Sequence, residues 1–220
     1  MDNIYPTCEY VRRILSVAKK KASARDKARQ IIRQAGGMVK TSDAIQSGIH
    51  PRTLYHLRDT GDLEQISRGI YRLTEIGTVS NPDLVVVATR IPNSVICLVS
   101  ALSFHEITTQ IPHKVSVAIP KDSKPPMIEY PPIQFYKFSE KPFQAGVEEH
   151  KIDGVTVKVF SAEKTLVDCF KFRNKIGMDV VLEALKLYKI RMNFDHKTIL
   201  EYAKICRVDK IVRPYLEATI

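Results

Sequence analysis

GIHPRTLYHLRDTGDLEQISRGIYRL, residues 48–73, reads as a short helix followed by a hairpin. Pro51 suits the first helical position, where its missing N–H would find no partner anyway, and His50 stands at the cap before it. The helix continues through Arg52, Thr53, Leu54, Tyr55, His56, Leu57 and Arg58, and Gly61 is placed to stop it in a left-handed conformation. Leu54 and Leu57, three apart, share a face and imply a small core on that side. Arg52, Thr53 and His56 fall on the other side, with Tyr55 at the edge between the two. Two short β-type runs follow, residues 63–66 and 70–73, joined at Ser67-Arg68-Gly69. A short helix with a basic, hydrogen-bonding face and a hairpin with a basic tip are the parts with which a winged helix-turn-helix reads a DNA groove.

Upstream, residues 23–35 carry Ala24, Ala28, Ile31, Ile32 and Ala35 in a helical stripe. Ser23 with Asp26 three residues on forms a capping box in which Asp replaces the usual Glu or Gln. Gly36-Gly37 ends that helix, Met38-Val39-Lys40 is long enough for a strand, and Thr41 is placed to cap a second helix over 42–47. Helix, strand, helix, turn, helix, hairpin is the winged-helix order.

The run L-x-x-x-G-x-L-x-x-I-x-R-G-I-Y, from Leu57 to Tyr71, resembles the N-terminal domain of the AbiEi antitoxins of type IV toxin–antitoxin (abortive infection) systems. VICLVSALSFHEITTQIPHKVSVAIP, residues 95–120, and DGVTVKVFSAEKTLVDCF, residues 153–170, are similar to stretches of that family's C-terminal domain, in the same order and spacing. The resemblance begins near Ser23 and leaves out the first twenty or so residues. It implies a protein that binds an inverted-repeat operator ahead of its own operon and represses it. It also implies a C-terminal domain that antagonises a nucleotidyltransferase-like toxin, without need of a stable complex with it.

The 220 residues suit one large domain or two small ones, and 44% hydrophobic with 26% charged residues is the composition of a folded soluble chain. The start MDNIYPTCEY has neither the basic residues nor the apolar run of a signal peptide, and the longest apolar runs are too short to cross a bilayer. Cys8, Cys97, Cys169 and Cys206 form no C-x-x-C pair; Cys97 and Cys169 lie in apolar runs, and core thiols suit a reducing cytoplasm.

The net charge of +10 is unevenly spread. Residues 12–33 hold nine Lys or Arg against the single acid Asp26, a net +8; residues 79–160 balance, eight against eight; the last sixty carry twelve against eight, a net +4. Val11, Ile14, Leu15 and Ala18 form a narrow apolar stripe within the first basic run. A helix docked through that stripe would leave Arg12, Arg13, Lys19, Lys20 and Lys21 to meet phosphates, although most such runs are simply solvated faces.

A boundary falls in residues 76–82, among Gly77, Thr78, Ser80, Asn81 and Pro82, giving domains 1–78 and 79–220. Asn81-Pro82 starts a helix, residues 84–91 are apolar nearly all round, and 95–104 forms a second buried helix or a strand leading into one. Residues 114–119 alternate as a strand, the proline-rich run 121–132 is an exposed loop, and 133–138 and 147–152 are further strands. Asp153-Gly154 is a hairpin turn returning through 155–160. Helices follow over about 162–174, 178–189, 196–206 and 209–218, capped by Ser161 and Asp195, with Lys164, Lys171, Arg173, Lys186 and Lys189 as exposed basic positions. The fold class is α+β: an N-terminal winged helix-turn-helix, then a mixed sheet with a helical C-terminal part.

No enzyme is expected. The six histidines form no H-E-x-x-H, and the chain has no phosphate loop and no G-x-S-x-G. A nuclease centre after Asp153 would need a carboxylate and a lysine on the next strand, and Val155-Thr156-Val157-Lys158 supplies only the lysine. No cofactor or metal is implied. Glu163, Lys164 and Asp168 lie in a family-like segment, but nothing in their chemistry points to catalysis.

The candidate DNA-binding residues are thus Lys19, Lys20, Lys21, Lys40, Thr41, Arg52, Thr53, Tyr55, His56, Arg58 and Arg68. Arg52 and His56, with Thr53 beside them, are placed to read bases. Arg58, Lys40 and Thr41 suit phosphates, and Arg68 could enter the minor groove or touch the backbone. The partners expected are double-stranded operator DNA and the toxin, with no membrane, and a monomer that pairs on its inverted repeat. The alternatives are a winged-helix regulator whose C-terminal domain senses a ligand or oligomerises, and, in another class, a DNA-targeted nuclease.

Overall fold

In a computed structural model of the chain the residues described are 23–76 and 81–218. They form two compact units that divide between Gly77 and Thr78.

The first unit opens with α1 (Ala24–Gln34). Its capping box closes as the spacing predicts: the Ser23 hydroxyl accepts from the Asp26 N–H at 3.1 Å and the Asp26 carboxylate from the Ser23 N–H at 3.1 Å. Gly36 and Gly37, both at positive φ, end the helix; the Gly37 N–H reaches Ile32 O at 2.8 Å. Strand β1 (Met38–Lys40) runs directly into α2 (Thr41–Gln46). Then come α3 (Pro51–Asp59), β2 (Leu63–Ser67) and β3 (Ile70–Leu73), with a single 3-10 turn over Thr74–Ile76. The sheet order is β1-β3-β2, antiparallel throughout. This is a winged helix-turn-helix, and its core gathers Ile32 of α1, Ile49 of the turn, Leu54 and Leu57 of α3 and Leu63, Tyr71 and Leu73 of the hairpin.

Thr41 is not the cap of α2. Lys40 holds that place with extended backbone and no side-chain bond. The reason lies in the sheet: Lys40 pairs with Ile70, which brings the wing turn over Thr41, so its N–H donates to Gly69 O at 3.0 Å and its hydroxyl at 3.3 Å.

The second unit contains α4 (Pro82–Arg90), β4 (Val95–Ile96), α5 (Leu98–Phe104), β5 (Val115–Pro120), β6 (Ile133–Phe138), α6 (Glu140–Gln144), β7 (Val147–Ile152) and β8 (Val155–Phe160). Helices α7 (Ala162–Lys171), α8 (Arg173–Ile176), α9 (Met178–Arg191), α10 (His196–Cys206) and α11 (Asp209–Glu217) complete it. The sheet order is β6-β5-β4-β8-β7; β5/β6 and β4/β8 run parallel, the other pairs antiparallel. Residues 95–104 resolve as the strand leading into a helix. Strand β5 is buried on both faces from Val115 to Ile119, so its alternating pattern does not mark a solvent face. Ser161 and Asp195 cap α7 and α10 through the Lys164 and Thr198 N–H groups at 3.3 and 3.0 Å.

Lys164 corrects the sequence reading most sharply. Helix α7 is the buried central helix of this unit, and Lys164 is 0% exposed. Its ammonium meets the equally buried Asp168 carboxylate one turn on at 2.5 Å and lies 4.2 Å from the centre of the Phe160 ring. Asp168 also accepts from the Cys206 thiol at 3.5 Å. Burial holds the Asp168 carboxyl above its ordinary value, with Lys164 working against that rise. A carboxyl raised in the folded state contributes most below the ordinary carboxylate pKa, and its contribution falls as pH rises through the folded value. Of the other expected basic positions, Lys171 and Arg173 are half-buried, whereas Lys186 and Lys189 are exposed.

Lys164→Met is expected to destabilise the second unit by about 3–5 kcal/mol at pH 7, since it leaves Asp168 buried without a counter-charge. The loss should shrink when the pH is lowered from 7 to 5, since burial raises the Asp168 carboxyl and so favours its protonation as pH falls, and Lys164→Met with Asp168→Leu should recover most of it. Urea unfolding of the three proteins at both pH values checks this.

Candidate nucleic-acid interface

The α2–α3 turn sets up the interface. Ser47 caps α2, Gly48 follows at φ +86, and the Ile49 N–H returns to Ala44 O at 2.9 Å while Ile49 itself is buried. Pro51 then starts α3, with the His50 ring accepting from the Arg52 N–H at 3.2 Å. Leu54 and Leu57 are both fully buried, which fixes the roll of the helix. At 100° per residue the opposite face carries Arg52, Tyr55, His56 and Asp59, all exposed, with Tyr55 at 41%. Tyr55 is therefore outward rather than core, while Tyr71, 3% exposed, packs the hairpin. Thr53 and Arg58 flank this face and are half-buried.

The groups on the face are not equally available. Among the described residues Arg52 makes no side-chain hydrogen bond or ion pair. Arg58 lies 5.2 Å from the Tyr55 ring centre and pairs with Asp59 at 2.8 Å. The hydrogen bond to Asp59 raises the Arg58 pKa further above its ordinary value. Asp59 thus offers no net negative charge to a phosphate, because Arg58 neutralises it. His56 Nε2 meets the Arg25 guanidinium. Arginine only donates, so Nε2 is the acceptor of that pair.

Arg25 belongs to a stripe that the sequence reading counted only as charge. Arg25, Arg29 and Arg33 follow at intervals of four and share one face of α1. They reach His56, Asp62 and, at 2.5 Å, Glu75, so they fasten α1 to the winged core. The four-residue interval was visible in the sequence, but the partners are 31, 33 and 42 residues away and were not. Lys27 on the same helix is exposed.

Strands β2 and β3 project the wing, with a bulge at Ile66 and Arg68 exposed at the tip. Gly69 adopts φ +70, and a Cβ there would stand 3.3 Å from Thr41 Oγ1. The wing is thereby tied to the start of α2. Lys40, half-buried, sits in the same strand-to-helix junction. The structure therefore brings Arg52, Tyr55 and His56 onto one face, with Thr53 and Arg58 at its margins. Lys40 and Thr41 lie at the wing base. Lys19, Lys20 and Lys21 lie outside the described residues.

Residues 26–74 match the family model described as transcriptional regulator, AbiEi antitoxin. The match lies within the winged unit, which is thus similar to the AbiEi antitoxins. No curated protein matches the sequence. A crystal structure of the RV2827C protein from Mycobacterium tuberculosis is similar over 86% of this chain and 80% of that one, at 13% identity and a TM-score of 0.46. Among the described residues no helix is long and apolar enough to cross a membrane, and no three His, Cys, Asp or Glu side chains are grouped to hold a metal ion. The AbiEi match ends before the second unit, where His105 hydrogen-bonds Phe160 O at 2.8 Å and Glu163 accepts from the Tyr188 hydroxyl at 2.6 Å.

Gly69→Ala should cost about 1–2 kcal/mol from backbone conformation alone. Because it also crowds Thr41, it should exceed Gly48→Ala, whose added Cβ meets nothing within 4 Å. Denaturant midpoints of the two variants measure the difference, and equal values would remove the wing-to-α2 tie.

Proposed function

We propose that this protein is a DNA-binding antitoxin that represses its own type IV toxin–antitoxin operon and antagonises a nucleotidyltransferase-like toxin without a stable complex. The observation that carries the DNA-binding half is the outward face of α3. Arg52 is exposed there and, among the described residues, makes no side-chain hydrogen bond or ion pair; it stands beside Tyr55 and His56, while Leu54 and Leu57 hold the helix in place. An exposed arginine in the first turn of a recognition helix suits bidentate donation to guanine O6 and N7. Arg68 at the wing and Lys40 at its base are assigned to the flanking backbone, as are Lys19, Lys20 and Lys21. Thr41, tied to Gly69, acts through the wing rather than as a free contact. Thr53 and Arg58 stand at the margins of the reading face.

A single winged unit offers little contact area, so two copies on an inverted repeat, with half-sites about one helical turn apart, account for specific repression. The protein is then a monomer that pairs on DNA, in the cytoplasm with its operator. The second unit carries the antitoxic activity, a reading supported by the family-like segments at 95–120 and 153–170.

Arg52→Ala is expected to cost about 1–3 kcal/mol on the cognate site and much less on random DNA. Replacing Lys19, Lys20 and Lys21 together should weaken both alike and flatten the salt dependence. Fluorescence titrations at two salt concentrations read both effects; equal losses for Arg52→Ala on every sequence would remove its base-reading role.

Two fragments, each confirmed folded, divide the activities. Residues 1–78 should bind DNA weakly and give no protection from the toxin, whereas 82–220 should protect in part and fail to repress a reporter. Growth rescue by 1–78 alone would place the antitoxic activity elsewhere.

A further inference from the structure

The second unit has an open depression of about 1240 Å³ between α6 and the C-terminal ends of α7 and α10. Four cations line it: Lys141 of α6, Lys171 ending α7, and Lys204 and Arg207 at the end of α10. Among the described residues none of the four takes part in an ion pair. The single acid in the lining is Glu140, which accepts from the Gln144 side chain at 3.5 Å. Three elements thus bring four positive charges into one concavity and answer them with one carboxylate. Lys171 and Lys204 do face the negative ends of their own helices, but that accounts for neither Lys141 nor Arg207.

Arg207 adds a second observation. It stands at φ 60, ψ 42, the left-handed residue that closes α10, and the following Val208 N–H bonds Ala203 O at 2.9 Å. Glycine is the residue this position favours. Here the chain keeps a residue with a long cationic side chain in the strained conformation, at a position on the depression's lining. The wall beside it is apolar: Ile205 is 40% exposed within the same lining.

We infer that this depression binds a nucleoside polyphosphate, its phosphates held by Lys141, Lys171, Lys204 and Arg207 and its base laid against Ile205. Small-molecule sites of about 300–1,000 Å³ are usual, so the space admits a nucleoside with its phosphate chain. A concave surface with an apolar wall fits such a ligand better than it fits the convex backbone of a duplex. The inference is independent of the DNA-reading face on α3, and it can fail while that face stands.

The test is a calorimetric titration of the full-length protein with guanosine triphosphate, adenosine triphosphate and inorganic tripolyphosphate. A single-stranded oligonucleotide forms a further arm. The nucleoside triphosphates should bind at one site per chain and more tightly than tripolyphosphate. Lys204→Glu with Arg207→Glu should abolish that binding, and Lys186→Glu, outside the depression, should leave it unchanged. Arg207→Gly separates a structural role from a binding one. It should raise the unfolding midpoint, since glycine relieves the backbone, and yet weaken nucleotide binding by about fivefold to tenfold through loss of one charge-assisted contact. The inference is overturned if the triphosphates do not bind, if the depression variants and Lys186→Glu bind alike, or if only the oligonucleotide responds to the depression variants.

Discussion

Burial of Leu54 and Leu57 is the constraint on which the winged unit depends. Two leucines three residues apart can enter one core only at one roll of the helix, and that roll decides which side chains α3 offers to solvent. The core they enter is shared by α1, the turn before α3 and the hairpin, so helix, wing and support are fixed together. The composition of the outward face is therefore a by-product of packing: Arg52, Tyr55 and His56 face outward because the leucines face in. The wing is placed by the same economy, since pairing of β1 with β3 brings Gly69 O onto the Thr41 N–H.

Electrostatics divide into charge that builds the protein and charge left over for partners. Arg25, Arg29 and Arg33 bind α1 to the winged core, and Lys164 lies sealed in the second unit against Asp168. Each lowers the number of cations that a net charge of +10 would seem to offer to nucleic acid. What is left includes Arg52 on α3 and the four cations around the α10 terminus. The α1 pairs are partly exposed and contribute little each, about 0–1 kcal/mol, so their work is orientation rather than strength.

The winged unit was legible because its signals are local. A capping box, paired glycines, Pro at a first turn and two leucines three apart are all settled within a few residues, and each appears where the spacing puts it. The same is true of the Ser161 and Asp195 caps and of the Asp153-Gly154 turn. What failed depended on distant partners. Lys164 looked like a surface lysine because nothing near it in sequence says that α7 is covered on every side. Its stabilising carboxylate is one turn on and Phe160 four residues back, but the Phe138 ring reaches it, and the α10 thiol reaches Asp168, only through the fold. Thr41 looked like a cap because Thr before a helix usually is one; the hairpin, close to thirty residues on, claimed it instead. The short α6 escaped because five residues, one of them proline, carry no helical period.

The central claim is that α3 reads a major groove, in two copies on an inverted repeat. The most direct measurement is methylation interference on the DNA upstream of the protein's own operon, since methylating guanine N7 blocks the major groove and methylating adenine N3 blocks the minor. The account predicts loss of binding on guanine N7 methylation at two clusters about one helical turn apart on one face of the duplex. Interference confined to adenine N3, or absent at every guanine of a bound fragment, would contradict it.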